Sequence, residues 1–132
     1  MIVRHLLKSM RCDQQGTTAV EFAIIAPVFI ALLVGVIALC ICLFLVGSLH
    51  YAVEEGARCA SVKTACADAS GNPNAIATVA YAQSHYFGPA VSAAFTYAAA
   101  ACGNSVSGSI NYSMDVGFKT FVVPISATAC FP

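Results

Sequence analysis

The stretch FAIIAPVFIALLVGVIALCICLFLVGSL, residues 22–49, decides the fold because none of its side chains is charged. As an α-helix rising about 1.5 Å per residue, it would form a rod of roughly 42 Å. The hydrocarbon core of a bilayer needs only about 20 apolar residues. A surface helix of a soluble domain needs a polar face, which this stretch lacks. The sequence therefore predicts a membrane-spanning helix.

Two features of this stretch qualify the prediction. Pro27 removes the hydrogen bond to the carbonyl of Ala23, so we expect a kink, which membrane helices tolerate. The kink is either a tolerated irregularity or part of an assembly surface. The run is also too long for a secretory signal peptide, whose apolar core has about 7–15 residues. We therefore expect the helix to stay attached to the chain.

The charges on either side of the span set its orientation. Residues 1–16 carry a net charge of +2 and residues 17–132 a net charge of −2. Because basic residues that precede a membrane helix stay in the cytoplasm, we expect the amino terminus inside and the residues after about 50 outside. The formal net charge of the whole chain is zero, which disfavours a nucleic-acid surface.

A short motif, DQQGTTAVEF at residues 13–22, stands at the entrance to the span. Gly16 is followed five residues later by Glu21. A glutamate deep in a bilayer costs about 2.5–3.5 kcal/mol or more, and a nearby cation lowers that cost. This glycine and glutamate resemble the type IV prepilin processing site, in which the chain is cut after the glycine. That cut would create such a cation, the amine of Thr17, about 6 Å along the helix from Glu21. In a packed filament, Glu21 of one subunit would meet the Thr17 amine of its neighbour and set the axial register.

The same letters also fit a simpler interpretation. Thr18 and Glu21 have the spacing of a capping box, with Thr18 as the N-cap residue and Glu21 at N3. Acidic residues are favoured near helix N-termini in any case. The short basic leader, the glycine and the uninterrupted span together favour the cleavage interpretation. Phe22 is either a lipid-facing anchor or part of the recognition motif.

The longer string GTTAVEFAIIAPVF, residues 16–29, resembles the amino terminus of the TadE-like pseudopilins of the tight-adherence (Flp) pilus, a type IV pilus system. Gly56-Ala57-Arg58 and the terminal Ala129-Cys130-Phe131-Pro132 are also similar to that family. The resemblance is strong over residues 11–35 and loose over residues 67–101. It implies a minor pilin or pseudopilin that takes part in starting, priming or tipping a filament used in surface adherence.

The resemblance also implies a processing site and partners. A prepilin peptidase would cleave between Gly16 and Thr17, and Glu21, Phe22 and Pro27 would act in assembly. The expected partners are that peptidase, other pilins of the same filament, an inner-membrane assembly platform and the lipid bilayer. The alternative is an unprocessed single-pass inner-membrane protein that scaffolds the same machinery.

Three regions are expected: a cytoplasmic leader at 1–16, a transmembrane and assembly helix at 17–50, and a periplasmic pilin-like domain at 51–132. The sequence predicts a helical extension over 50–65, in which Glu54 and Arg58 form an i,i+4 pair. Further helices are expected at about 74–87 and, in an alanine-rich stretch, at 91–101. Strict alternation over 105–114 and a shared apolar face over 121–131 predict an antiparallel β-hairpin. The expected fold class is α+β.

Four of the seven cysteines fall on the exported side of the span, where the compartment is oxidising. They are Cys59, Cys66, Cys102 and Cys130, and they allow three connectivities. Pairing the hairpin strands about residue 117 places Cys130 opposite about residue 104, within reach of Cys102. The remaining pair, Cys59 and Cys66, would lie about 10 Å apart along one helix, beyond the roughly 7 Å limit for a disulfide. This pair therefore requires the helix to end near Val62–Thr64.

No motif of the chain indicates catalysis. We find no exported Cys-x-x-Cys, no zinc-ligand spacing, no nucleotide-binding glycine loop and no plausible triad. The sequence therefore predicts a structural protein, not an enzyme, with neither a cofactor nor a metal ion.

Overall fold

The computed structural model describes residues 15–88, 93–115 and 119–132. Most of the predicted leader, with Cys12, lies outside these residues, as does the centre of the predicted hairpin turn. Helix α1 spans Gln15–Val62 and contains Pro27 without interruption. Because the chain is already helical at Gln15, Thr18 lies inside α1, and its predicted role as the N-cap residue is wrong. Within the described residues, α1 is the one helix long and apolar enough to cross a membrane.

The chain divides into two compact units, of which the first ends at Ala38 and the second covers Leu39–Pro132. In the first unit, the described large apolar side chains are exposed to solvent. In the second, α1 supplies the spine of a hydrophobic core. Its core residues recur on one face at helical spacing, namely Leu45, Leu49, Ala52, Val53 and Ala57.

The segment after α1 folds back through a series of short local contacts. A 3-10 turn, Thr64–Cys66, is followed by a loop in which the Asp68 carboxylate accepts backbone hydrogen bonds from Ser70 and Asn72. Helix α2 spans Ala75–Ser84, with Asn74 as an N-cap residue that accepts from Ile76 and Ala77. The second helix predicted at 74–87 is thus confirmed, although it ends three residues earlier.

The remaining elements form an antiparallel three-stranded sheet. Strands β1 (Ala94–Ala100), β2 (Gly103–Asp115) and β3 (Thr120–Phe131) lie in the order β1-β2-β3. The helix predicted at 91–101 is wrong, because this stretch contributes β1 to the sheet. Phe95 is buried on the inner face and pairs with Gly108, so cross-strand packing outweighs the helix propensity of the alanines.

The predicted hairpin of β2 and β3 is confirmed, with its register shifted by one residue. Cys130 pairs with Ser105 instead of residue 104. The predicted inner face also holds, since Val106 and Ile110 of β2 and Ile125 and Ala127 of β3 are buried.

The inner face of the sheet packs closely against both helices. A Cβ atom built on Gly56 of α1 would lie 2.9 Å from the Cβ of Ala82 in α2 and 3.5 Å from the methyl groups of Val106 in β2. One built on Gly108 would lie 2.9 Å from Leu49 and from the ring of Phe95. Both glycines therefore allow a close approach that a side chain would prevent.

Candidate functional site

The first unit presents an apolar helical surface. Phe22, Ile24 and Val28 are 73%, 69% and 70% exposed, and among the described residues Leu45 is the first side chain of α1 to be buried. Monomeric soluble proteins rarely expose apolar patches of more than a few hundred Å². A surface of this extent needs lipid or another protein chain around it.

The motif residues at the start of this surface are open to contact from outside the molecule. Gly16 and Glu21 are both exposed, and a Cβ built on Gly16 would meet nothing within 4 Å. Packing within the chain therefore does not explain the glycine. By sequence, Glu21 is the only Asp, Glu, Lys or Arg between residues 15 and 53. Phe22 and Pro27 are exposed as well, and the assembly roles of these residues stay predictions.

The structure joins Cys59 to Cys66 and Cys102 to Cys130, the two pairs that the sequence favours. The Cα atoms are 5.6 Å apart in the first pair and 6.2 Å in the second. Because α1 ends at Val62, the chain can turn back toward Cys59, as this pairing requires. Cys59 and Cys66 are completely buried, whereas Cys102 and Cys130 lie at the surface.

An ionic cluster ties α2 to the end of α1. The Lys63 ammonium donates to the Glu55 carboxylate at 3.0 Å and to the Tyr81 hydroxyl at 2.6 Å. The hydrogen bond from Lys63 lowers the pKa of Glu55, and the bond to Tyr81, followed by that to Glu55, raises the pKa of Lys63. Arg58 pairs with Glu55 at 3.8 Å, so its predicted partner, Glu54, is wrong.

A second polar network ties the sheet to α1, and the sequence analysis missed it. The Tyr97 hydroxyl donates to Oδ1 of Asn104 at 2.6 Å, and Nδ2 of Asn104 donates to Oγ of Ser61 at 2.9 Å. The Ser61 hydroxyl in turn donates to the carbonyl of Phe131 at 3.1 Å. These partners are up to 70 residues apart, so no local pattern could have shown them.

In the part of the chain that the structure describes, no three His, Cys, Asp or Glu residues lie close enough together to hold a metal ion. Two features of the described chain bear on its function. They are the exposed apolar part of α1, with the motif at its start, and the disulfide-linked domain that continues from it.

Comparison with known proteins agrees with the resemblance found in the sequence. The family model described as TadE-like protein matches residues 16–58. No curated protein and no solved structure is significantly similar to the chain. The matched segment begins at Gly16, contains Glu21 and extends along α1 to Arg58. The predicted resemblance is thereby confirmed: residues 16–58 of this chain are similar to the TadE-like family.

Proposed function

We propose that this chain is a minor pilin or pseudopilin of a tight-adherence pilus, incorporated through α1 after cleavage between Gly16 and Thr17. The observation that carries the proposal is the coincidence of the TadE-like match with the exposed apolar part of α1, both of which begin at the motif. A TadE-like protein is a structural and assembly component, which agrees with the lack of catalytic motifs in the sequence.

Before assembly, the proposal places the chain in the bacterial inner membrane as a single-pass protein. Residues 1–16 would be the cytoplasmic leader, 17–50 the transmembrane and assembly helix and 51–132 the periplasmic domain. Charge and burial support this division. Residues 22–44 carry no charge and precede Leu45, the first side chain of α1 that is buried among the described residues. Their length of about 34 Å matches a hydrocarbon core of about 30 Å with a modest tilt.

In the proposed mechanism, α1 leaves the lipid and enters a bundle of the same helices from other pilins. Glu21 would be the costly group in that transfer, because the 36 residues that follow it contain no Lys or Arg. Removal of the leader would expose the Thr17 amine, which can neutralise Glu21 of a neighbouring subunit. An inner-membrane platform would supply the force for insertion.

The test of processing is the mass of the chain in the presence and absence of the prepilin peptidase. We expect the mature chain to lack residues 1–16 and Gly16→Val to keep them, because the added side chain would obstruct the close approach of the peptidase to a backbone position that has no Cβ. Gly35→Val is the matched control, since neither glycine has an atom near its Cβ position. Full-length protein in the membrane under all conditions would support the alternative, an unprocessed inner-membrane scaffold.

The test of assembly is the substitution Glu21→Gln, which removes the charge and keeps the shape. We expect normal cleavage and a several-fold loss of incorporation into sheared filaments. Glu54→Gln is the control, because Glu54 is also exposed but lies beyond the span. Equal incorporation of the two variants would contradict a role for the Glu21 charge.

A further inference from the structure

Strand β1 is one edge of the sheet, because the strands lie in the order β1-β2-β3. Along a strand, the N–H and C=O groups of successive residues face opposite sides. Pro124 of β3 pairs with Asn111 of β2 but has no N–H to donate, so its backbone faces away from β2 and that of Asn111 faces β1. Phe131, an odd number of residues after Pro124, faces β2 as this alternation requires, since its carbonyl lies beside Gly103.

The register carries this alternation across β2 to β1. Ser107 lies an even number of residues from position 111, so it also faces β1, where it pairs with Thr96. Thr96 therefore bonds to β2, whereas Phe95, Tyr97 and Ala99 present their N–H and C=O groups to the open side. In the part of the chain that the structure describes, no backbone hydrogen bond outside the sheet reaches these three residues. The edge of β1 thus offers an unused row of donors and acceptors.

The two edges of the sheet differ in how they are protected. Proteins block a strand edge with proline, with lysine or with a covering element. Edge β3 contains Pro124, follows Lys119, and has its last carbonyl bonded to Ser61 of α1. Residues 94–100 of β1 include no proline and no charge, and residues 69–114 as a whole contain no Asp, Glu, Lys or Arg. Edge β1 therefore lacks the devices that prevent pairing with another strand.

A cavity of about 330 Å³ adjoins β1, between the end of α2 and the start of the strand. Its described lining residues carry no charge and none belongs to β2, namely Gln83, Tyr86, Gly88, Ala93 and Phe95. The Tyr86 ring meets the Phe95 ring edge-on, with centroids 6.1 Å apart. Cavities that hold small ligands begin at about 300 Å³, so this one has room for one large apolar side chain.

A free strand edge beside a cavity is the arrangement by which proteins bind extended peptides, with main-chain hydrogen bonds for affinity and the cavity for specificity. We propose that the β1 edge and this cavity bind an extended, proline-free segment of another pilus subunit, which places an apolar side chain beside Phe95. An uncharged segment is favoured, because neither β1 nor the cavity holds a charge that could pair with one. The choice of partner rests on the proposed function, whereas the strand site rests on the geometry of the sheet.

The strand site is tested by amide hydrogen exchange of the full chain in detergent, measured by NMR. The probe is the peptide acetyl-KTVFVTK-amide, and the control is the same peptide with both valines replaced by proline. In the free chain, we expect the N–H groups of Tyr97 and Ala99 to exchange at least tenfold faster than those of Thr96 and Ala98. The probe should slow them several-fold and the control should not. Slow exchange in the free chain, no effect of the probe, or equal slowing at Ser126 of β3 would overturn the inference.

The partner is tested by recovery of Ala99→Pro and Ser126→Pro in sheared filaments. Each substitution removes one N–H that faces away from β2, the first on the β1 edge and the second on the β3 edge. We expect a several-fold loss for Ala99→Pro and no change for Ser126→Pro, with thermal denaturation to show that both variants fold. Equal recovery would overturn a pilus subunit as the partner. Absence of the unsubstituted chain from filaments would refute the proposed function, and the exchange measurement would still decide whether the strand site exists.

Discussion

The two halves of α1 have the same helical backbone and opposite surroundings. Over residues 15–38 the described large apolar side chains are exposed, whereas over residues 39–62 one face of the helix is buried in the core of a folded domain. The second half also has a polar face, with Glu54, Glu55 and Arg58, which the first half lacks after Glu21. The difference teaches that one helix can serve as the spine of a domain along one half and expose an apolar surface along the other.

The largest difference in the free energy of unfolding is expected between alanine substitutions at two leucines of α1. Leu49 is completely buried and Leu43 is 62% exposed. Leu49→Ala should lower the free energy of unfolding by about 2–5 kcal/mol, because it leaves a cavity in the core. Leu43→Ala should change it by about 0.5 kcal/mol or less. Denaturant unfolding of the full chain in detergent measures both, and similar losses would show that the division of α1 is wrong.

The two disulfides should stabilise the domain by different amounts. They close loops with sequence separations of 28 and 7 residues. Loop-closure entropy predicts a loss of about 3.6 kcal/mol for Cys102→Ser with Cys130→Ser and about 2.4 kcal/mol for Cys59→Ala with Cys66→Ala. Alanine is used for the second pair because its sites are buried. The same unfolding assay checks the order, and no loss for either pair would contradict the stabilising role of the disulfides.

Substitution of two glycines of α1 by alanine should change the stability of the domain by different amounts. Gly56→Ala places a Cβ 2.9 Å from Ala82, which should cost about 1–3 kcal/mol through overpacking, partly offset by about 1 kcal/mol of helix propensity. Gly35→Ala meets no atom within 4 Å and should leave the unfolding of the domain unchanged. Thermal denaturation compares the two variants. A stabilised Gly56→Ala protein would argue against the tight contact among α1, α2 and the sheet.

The smallest loss of stability is expected when the ionic cluster of Glu55, Arg58 and Lys63 is weakened. The Glu55 side chain is 18% exposed, and its pKa is lowered from the ordinary value of 4.5. Its contribution is therefore present at neutral pH and is lost as the pH falls through the folded-state pKa. Glu55→Gln should cost under about 1 kcal/mol at neutral pH, and the difference from the unsubstituted protein should vanish in acid. Glu54→Gln is the control, and a pH-independent loss in Glu55→Gln would contradict the ion pairs.

Much of the helical and hairpin structure could be predicted from the sequence because its signals are local. The uncharged stretch gives the exposed part of α1, and the polar–apolar alternation gives the inner face of β2. The disulfide between Cys59 and Cys66 required only that α1 end near Val62, as it does.

The errors arise where distant parts of the chain decide the structure. The alanines of 94–100 favour a helix locally, yet Phe95 and Tyr97 alternate in the strand that pairs with β2. Arg58 has an acidic residue both three and four positions before it, and spacing alone could not select Glu55. Lys63, eight residues after Glu55, completes that cluster through Tyr81 of α2.

The most direct test of the account is amino-terminal sequencing of this chain recovered from sheared filaments and from membranes of the same cells. The account predicts that the filament-borne chain begins at Thr17. A chain that is never found in filaments and begins at Met1 in the membrane would contradict it.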